Sequence, residues 1–256
     1  MGGRGLMRAY LTLTRRELAS FFLSITGYVI IAGLAFAVGG VFCLLLKAQG
    51  SDPVSIPITQ VFFNNLVLWF VIALTPCVVT MRLFALEKAT GTFETLTTTP
   101  VTDFQIVASK FTAAVVFFVI MWLPSLAYLF IIQNYANQPG AMDPGTVCSM
   151  YLGVFLVGCF ILSVGCLASA LTKSQVLAAI VTLVAGFLLI LLHFLAKLLP
   201  QNGHWQTQVL SFFNISQQML DFTRGILDTR AIVFYVSMTL FFLFLTLRVI
   251  ESRRWK

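Results

Sequence analysis

The chain has 256 residues, of which 59% are hydrophobic and only 10% are charged. A soluble domain usually has about 25% charged residues, so this composition excludes a single water-soluble globule. The formal net charge of +7 fits either nucleic-acid binding or membrane topology. The basic residues flank apolar stretches and form no dense patch, which favours a lipid bilayer as the partner and argues against nucleic acid.

Uncharged apolar stretches divide the chain into six segments long enough to span a bilayer, which takes about 20 residues of helix. The last segment is short, but Arg230 and Arg248 can extend outward from its ends. We therefore predict an all-α, polytopic membrane protein with one transmembrane permease domain over residues 1–256. The predicted spans cover residues 21–46, 58–82, 108–133, 145–171, 175–198 and 231–250.

Lys and Arg are distributed unequally between the two sides of these spans. Short cytoplasmic loops retain positive charge during membrane insertion. With the N-terminus inside, twelve of the sixteen basic residues fall on the cytoplasmic side. They are Arg4, Arg8, Arg15, Arg16, Arg82, Lys88, Lys110, Lys173, Arg248, Arg253, Arg254 and Lys256. This distribution predicts that both termini are cytoplasmic.

Before the first span, apolar side chains and one acidic side chain fall on a single helical stripe. The stripe consists of Leu6, Tyr10, Leu13 and Glu17. It predicts a short N-terminal helix that lies in the membrane interface. The alternative is a basic tail that only sets the orientation of the chain.

The long connection before the last span is expected to be partly helical. Four of its apolar residues recur at the spacing of one helix face, which predicts a re-entrant or interfacial segment. They are Ile215, Met219, Phe222 and Ile226. Asp228 or Thr229 is then expected to cap the last span.

Prolines and small residues predict kinks and close contacts within the spans. Pro76 and Pro124 each remove a backbone donor and tend to bend a helix. Gly165 and Ser169 are four residues apart, which permits close approach of another helix. The spacing leaves open whether that helix belongs to the same chain or to a second subunit.

No catalytic or metal-binding motif is found in the sequence. It lacks the G-x-x-x-x-G-K-[ST] phosphate loop, the G-x-S-x-G elbow and the H-E-x-x-H zinc motif. The five cysteines show no zinc-binding spacing and are interpreted as packing residues. His193 lies in a predicted span without a charged residue to form a proton relay, so we interpret it as structural. We therefore predict no enzyme activity, cofactor or metal in this chain.

The connection between the second and third spans carries the most informative pattern. Residues 92–98 can form a short amphipathic helix, and Thr102 or Asp103 can cap the third span. The pattern Glu87-Lys88-x-x-Gly91-Thr92-x-Glu94-x-Leu96, followed by Pro100 and then Lys110, resembles the coupling loop of ABC-transporter type 2 permeases. Residues 221–230 and 251–255 are similar to the gliding-motility permease branch of that family. Ser109 departs from the glycine that is common before the Lys in relatives.

The resemblance implies a permease subunit of an ATP-binding cassette transporter that performs export or cell-envelope work in a bacterial inner membrane. It implies a partner ATPase that binds ATP and Mg, and a second permease subunit that is identical or related. A membrane protein with a periplasmic domain is a further expected partner. The residues assigned to the ATPase-coupling loop are Glu87, Gly91, Thr92, Glu94 and Pro100. The alternative is that Gly91 and Pro100 only shape the turn.

Two other functions are compatible with the residues alone. A secondary transporter or channel would use ion binding or a gradient, and only the prolines and His193 favour it. A membrane anchor that transmits force to an envelope assembly, without transport, would use the segment before the last span as its partner surface.

Overall fold

The computed structural model describes residues 3–49, 62–63, 65–92, 101–135, 144–198 and 215–254. All regular secondary structure in these ranges is helical. The helices are α1 (Gly3–Phe22), α2 (Ile25–Gln49), α3 (Leu66–Thr80), α4 (Ala85–Thr90), α5 (Asp103–Trp122), α6 (Ser125–Tyr135), α7 (Pro144–Leu171), α8 (Gln175–Leu198), α9 (Ile215–Thr223) and α10 (Thr229–Arg254).

Five helical stretches in the described part of the chain are long and apolar enough to cross a membrane. They are Ile25–Leu45, Leu66–Thr90, Asp103–Tyr128, Pro144–Leu171 and Thr229–Ser252. Helix α8 covers the predicted fifth span, but its apolar stretch, Gln175–Leu191, is shorter than the other five. The all-helical prediction is confirmed for the described residues, and the count of six spans stays a prediction.

The first span begins later than predicted. Helix α1 continues to Phe22, residues 23–24 form a bend, and α2 begins at Ile25 instead of residue 21. A Cβ atom at Gly27 would overlap the carbonyl oxygen of Phe21. Because glycine has no Cβ, the start of α2 can lie directly against the end of α1. The bend could not be predicted from the uncharged run, because no charged residue interrupts the run at this point.

A capping box fixes the start of the third span. The Gln105 N–H donates to the Thr102 hydroxyl at 3.3 Å, and the Thr102 N–H donates to the Gln105 side-chain oxygen at 3.0 Å. The predicted cap is confirmed, and it starts α5 at Asp103 instead of residue 108. Pro124 lies in the turn between α5 and α6, at the position where a kink was predicted.

Pro76 lies inside α3 without ending the helix. A proline lacks the N–H that would bond to the carbonyl four residues earlier, which here belongs to Ile72. The Thr75 hydroxyl lies 3.3 Å from that carbonyl oxygen and 3.1 Å from the carbonyl oxygen of Val71. A neighbouring hydroxyl therefore replaces the missing donor, which is a common way for a membrane helix to tolerate proline.

Helix α7 is the central helix of the bundle. Buried residues make up 72% of its most apolar stretch, compared with 22% in α2 and 11% in α10. A Cβ atom at Gly165 would overlap the side chain of Thr80 on α3, so the two helices approach as closely as a glycine allows. The small-residue contact predicted from Gly165 therefore lies within this subunit.

Helix α9 occupies part of the segment before the last span. Three of the four predicted apolar residues are buried: Ile215, Met219 and Phe222. The prediction is wrong for Ile226, which is 54% exposed, because Gly225 has a φ of 79° and lies beyond the helix end. The carboxylate of Asp228 accepts the N–H of Arg230 at 2.9 Å, which confirms the predicted cap of α10.

Candidate functional site

The connection after α3 folds into a turn and a short helix that the sequence did not predict. Residues 81–84 form the turn, and α4 follows, with Gly91 as its C-cap. The φ of Gly91 is 75°, in the left-handed region that glycine adopts without steric cost at helix ends. Apart from Thr92, the coupling helix predicted over residues 92–98 lies outside the described residues.

The start of α4 is attached to the end of α7. The backbone N–H groups of Phe84 and Ala85 both donate to the hydroxyl of Ser169 at 3.0 Å. The first N–H groups of a helix have no partner within it, so this buried hydroxyl satisfies two of them. Lys88 also donates to the carbonyl oxygen of Ala170. Helix α4 is therefore held on the C-terminal end of the central helix.

Four charged side chains from three helices meet beside α4. Lys110 of α5 donates to Glu17 of α1 at 3.0 Å and to Glu87 of α4 at 2.8 Å. Arg16 of α1 lies 3.1 Å from the same oxygen of Glu17 and 3.5 Å from Glu87. We call Arg16, Glu17, Glu87 and Lys110 the charged cluster.

The charged cluster contains two cations and two carboxylates, and three of its four side chains are largely buried. The side chain of Lys110 is 2% exposed, and those of Glu17 and Glu87 are 11% and 17% exposed. Buried charges are tolerated when they are paired and hydrogen-bonded, whereas a single uncompensated one costs several kcal/mol. The cluster therefore holds α1, α4 and α5 in one arrangement.

Glu87 is the least completely satisfied member of the charged cluster. One carboxylate oxygen, Oε1, accepts the bonds from Lys110 and Arg16. The other, Oε2, is buried and has no hydrogen-bond partner among the described residues. A buried acceptor without a partner raises the free energy of this arrangement. Displacing Glu87 consequently costs less than displacing a fully bonded carboxylate.

Three of the five predicted coupling residues lie in the described part of the chain. Glu87 belongs to the charged cluster, and Gly91 ends α4. The hydroxyl of Thr92 donates to the backbone carbonyl oxygen of Glu87 at 3.4 Å, so it supports the same short segment. Glu94 and Pro100 lie outside the described residues. Contact between this loop and an ATPase stays a prediction.

The other members of the charged cluster were not predicted as site residues, although two of them gave a signal. Glu17 is an acidic residue on the otherwise apolar stripe of α1. Lys110 is predicted at the edge of a span, but α5 starts at Asp103, so the lysine lies about two turns inside the helix. Lys110 is therefore a charged residue inside the candidate span Asp103–Tyr128, whereas the structural interpretation of His193 stays a prediction.

The described part of the chain contains no candidate metal site. No group of three or more His, Cys, Asp or Glu residues is arranged there to hold a metal ion. The side chain of His193 lies outside the described residues. The charged cluster and the attachment of α4 to α7 are therefore the polar features on which we base the candidate site.

Comparison with known proteins identifies the family. No curated protein matches the chain. The family model described as "ABC-2 family transporter protein" matches residues 30–250. This match extends from α2 to α10 and includes Glu87 and Lys110, whereas Arg16 and Glu17 precede it. Because the match covers most of the helical bundle, the chain belongs to the ABC-2 transporter family and is a membrane subunit of an ABC transporter.

Proposed function

We propose that this permease subunit receives the closure of a separate ATPase at residues 87–100 and transmits it to its membrane helices. The charged cluster is the observation that carries the proposal. Glu87 of the connection is paired with Lys110, which is paired with Glu17. A displacement of Glu87 therefore changes contacts on α5 and α1 together. Family membership supports an ATP-binding partner subunit, which would hold ATP and Mg.

The attachment of α4 to α7 supports the same route. Ser169 and Ala170 of α7 bind the start and the lysine of α4. Helix α7 packs in turn against α3, α5, α8, α9 and α10. Because closely packed helices transmit a displacement instead of absorbing it, movement of α4 reaches the centre of the membrane domain.

Arg16 can replace Lys110 as the partner of Glu87 in the charged cluster. Its guanidinium lies within 3.5 Å of the Oε1 atoms of both carboxylates and is 56% exposed. When Glu87 moves away from Lys110, Arg16 can follow it while Lys110 stays paired with Glu17. No buried charge is then left without a partner, so the displaced arrangement avoids the cost of an uncompensated buried charge.

We also propose six spans with both termini in the cytoplasm of a bacterial inner membrane. The distribution of Lys and Arg supports this orientation, and the 24-residue length of α8 supports a sixth span. Residues 87–100 then face the cytoplasm, where an ATPase binds. A second permease subunit, identical or related, completes the transporter.

The gliding-motility branch is the finer assignment that we propose. Residues 221–230 and 251–255 carry the resemblance to it. In this branch we expect export or cell-envelope work together with a membrane protein that has a periplasmic domain. Co-purification of such a protein with the permease and the ATPase tests this assignment separately from the coupling route.

Cross-linking tests the contact with the ATPase. The exposed Cys43 and Cys148 are first replaced by serine. Thr92→Cys and Thr229→Cys are then introduced separately, and the new cysteine of each variant is labelled with a benzophenone maleimide. Thr229 is the matched control because it is exposed at the start of α10, on the opposite side of the proposed topology. We expect the ATPase to cross-link to Thr92→Cys only. Equal cross-linking from both positions contradicts the proposal.

A charge-removing variant tests transmission. Glu87→Gln keeps the shape of the side chain but loses its charge, and we expect ATP hydrolysis by the intact complex to fall. Glu251→Gln is the control, because this carboxylate pairs only with Arg248 among the described basic residues. Unchanged hydrolysis in Glu87→Gln and after deletion of residues 87–100 would refute the coupling role. Transport that survives ATP depletion but stops without an ion gradient would indicate a secondary transporter.

A further inference from the structure

The bend between α1 and α2 borders a cavity of about 250 Å³. Its polar lining consists of the charged cluster together with Arg82, Ser20 and Ser24. A water molecule occupies about 30 Å³ in the liquid, so the cavity has room for a phosphate group. The cavity lies at the junction of α1 and α2, where the candidate span Ile25–Leu45 begins.

The cavity lining has a net positive charge. The four members of the charged cluster sum to zero, so Arg82 supplies the excess. Arg82 donates to the Thr26 hydroxyl at 2.6 Å, and no described carboxylate lies within 4.0 Å of it. A guanidinium has five N–H donors in a planar fork that matches phosphate. Arg82 is therefore oriented by one hydroxyl and retains donors for an anion.

The residues beside the cavity favour a lipid as the source of that anion. Leu23 and Ile25, on either side of Ser24, are 87% and 83% exposed. Two large exposed apolar side chains at the end of a span lie where acyl chains begin, whereas a free phosphate has no apolar group that could pack against them. Basic pockets between membrane helices on the cytoplasmic side bind the headgroups of anionic lipids.

We propose that this cavity binds the phosphate headgroup of an anionic phospholipid. Arg82 donates to the phosphate, the half-exposed Arg16 lies at its edge, and the acyl chains lie along Leu23 and Ile25. The lipid then links the bend between α1 and α2 to the connection that begins after α3. The site shares Arg16 and Glu87 with the charged cluster, but lipid binding there does not require contact with an ATPase.

Native mass spectrometry of the delipidated, detergent-solubilised complex tests the site. The probes are dioleoylphosphatidylglycerol, dioleoylphosphatidylcholine and sn-glycerol 3-phosphate. We expect retention of phosphatidylglycerol over phosphatidylcholine, and a loss of about tenfold in its affinity in Arg82→Gln, the order expected when a charge-assisted hydrogen bond is removed. Arg82→Lys should retain part of the affinity. Arg248→Gln removes an exposed arginine far along α10 and should retain all of it.

A second variant tests the cavity without changing its charge. Among the described residues, the hydroxyl of Ser20 bonds only within its own helix, to the Glu17 carbonyl oxygen, so Ser20→Leu keeps α1 and fills the cavity. We expect folded Ser20→Leu to lose phosphatidylglycerol. Equal retention of the two lipids, full retention by Ser20→Leu, or equal losses in Arg82→Gln and Arg248→Gln would overturn the proposal. Displacement of the lipid by millimolar sn-glycerol 3-phosphate would assign the site to a soluble phosphate ester and overturn the lipid assignment.

Discussion

Replacing Lys110 by methionine removes the cation that two buried carboxylates share. Glu17 and Glu87 then depend on Arg16, whose side chain is 56% exposed and lies 3.5 Å from Glu87. Removing one partner of a buried ion pair costs about 3–5 kcal/mol. Because Arg16 compensates part of the charge, we expect Lys110→Met to lower the free energy of unfolding by about 2–4 kcal/mol. The methionine retains the length and the apolar stem of the lysine.

Unfolding in mixed micelles, followed by circular dichroism over a titration with dodecyl sulfate, measures this loss. Lys173→Met is the matched control, because Lys173 is exposed between α7 and α8 and its replacement should change stability by less than about 0.5 kcal/mol. Adding Glu17→Gln to Lys110→Met removes a carboxylate that has lost its buried cation and retains only Arg16 as a partner among the described residues. The double variant should therefore be about 0.5–3 kcal/mol more stable than additivity predicts. If Lys110→Met is as stable as Lys173→Met, the cluster does not hold the helices together.

The same unfolding measurement checks two contacts of α7. Gly165→Ala adds a Cβ that overlaps Thr80 and should lower the free energy of unfolding by about 1–3 kcal/mol. Adding Thr80→Ala should restore part of that stability. If Gly165→Ala alone is fully stable, α3 moves freely relative to α7. Ser169→Ala leaves two amide groups of α4 without their acceptor and should cost about 1–3 kcal/mol. Ser163→Ala in the same helix removes a bond only to a carbonyl of its own turn, and equal losses in the two serine variants would contradict the attachment of α4.

The fourth span and the caps were predictable because each depends on residues close together in the sequence. The predicted fourth span, 145–171, differs from α7 by one residue at its start, since the uncharged run and the helix end together. Thr102 and Asp228 follow capping rules that involve three or four neighbouring residues. The bend at residues 23–24 was not predicted because it depends on the close approach of Gly27 to the end of α1, and the hydropathy pattern does not reveal such a contact.

Of the charged cluster, only Glu87 was predicted from the sequence as a site residue. Glu87 was chosen because the loop around it resembles a known family pattern. Its partners depend on tertiary packing: Glu17 and Lys110 are 93 residues apart in the chain. Charged residues near predicted span ends are ordinarily assigned to the membrane surface, and that rule concealed Lys110. An acidic residue on an apolar stripe and a basic residue inside a capped helix are the pair of signals that together predict such a contact.

The charged cluster and the proposed lipid site share Arg16, so each should affect the other. A phosphate that attracts Arg16 withdraws it from Glu17 and Glu87, and these carboxylates then depend more strongly on Lys110. The destabilisation caused by Lys110→Met should therefore be larger in bicelles that contain phosphatidylglycerol than in bicelles of phosphatidylcholine, while that of Lys173→Met should be equal in both. Since each ion pair at a partly exposed site contributes about 1 kcal/mol or less, the expected difference is about that size. An equal loss in the two lipids would mean that Arg16 remains with the carboxylates when the lipid binds, and that ATPase coupling and lipid binding act on separate sets of contacts.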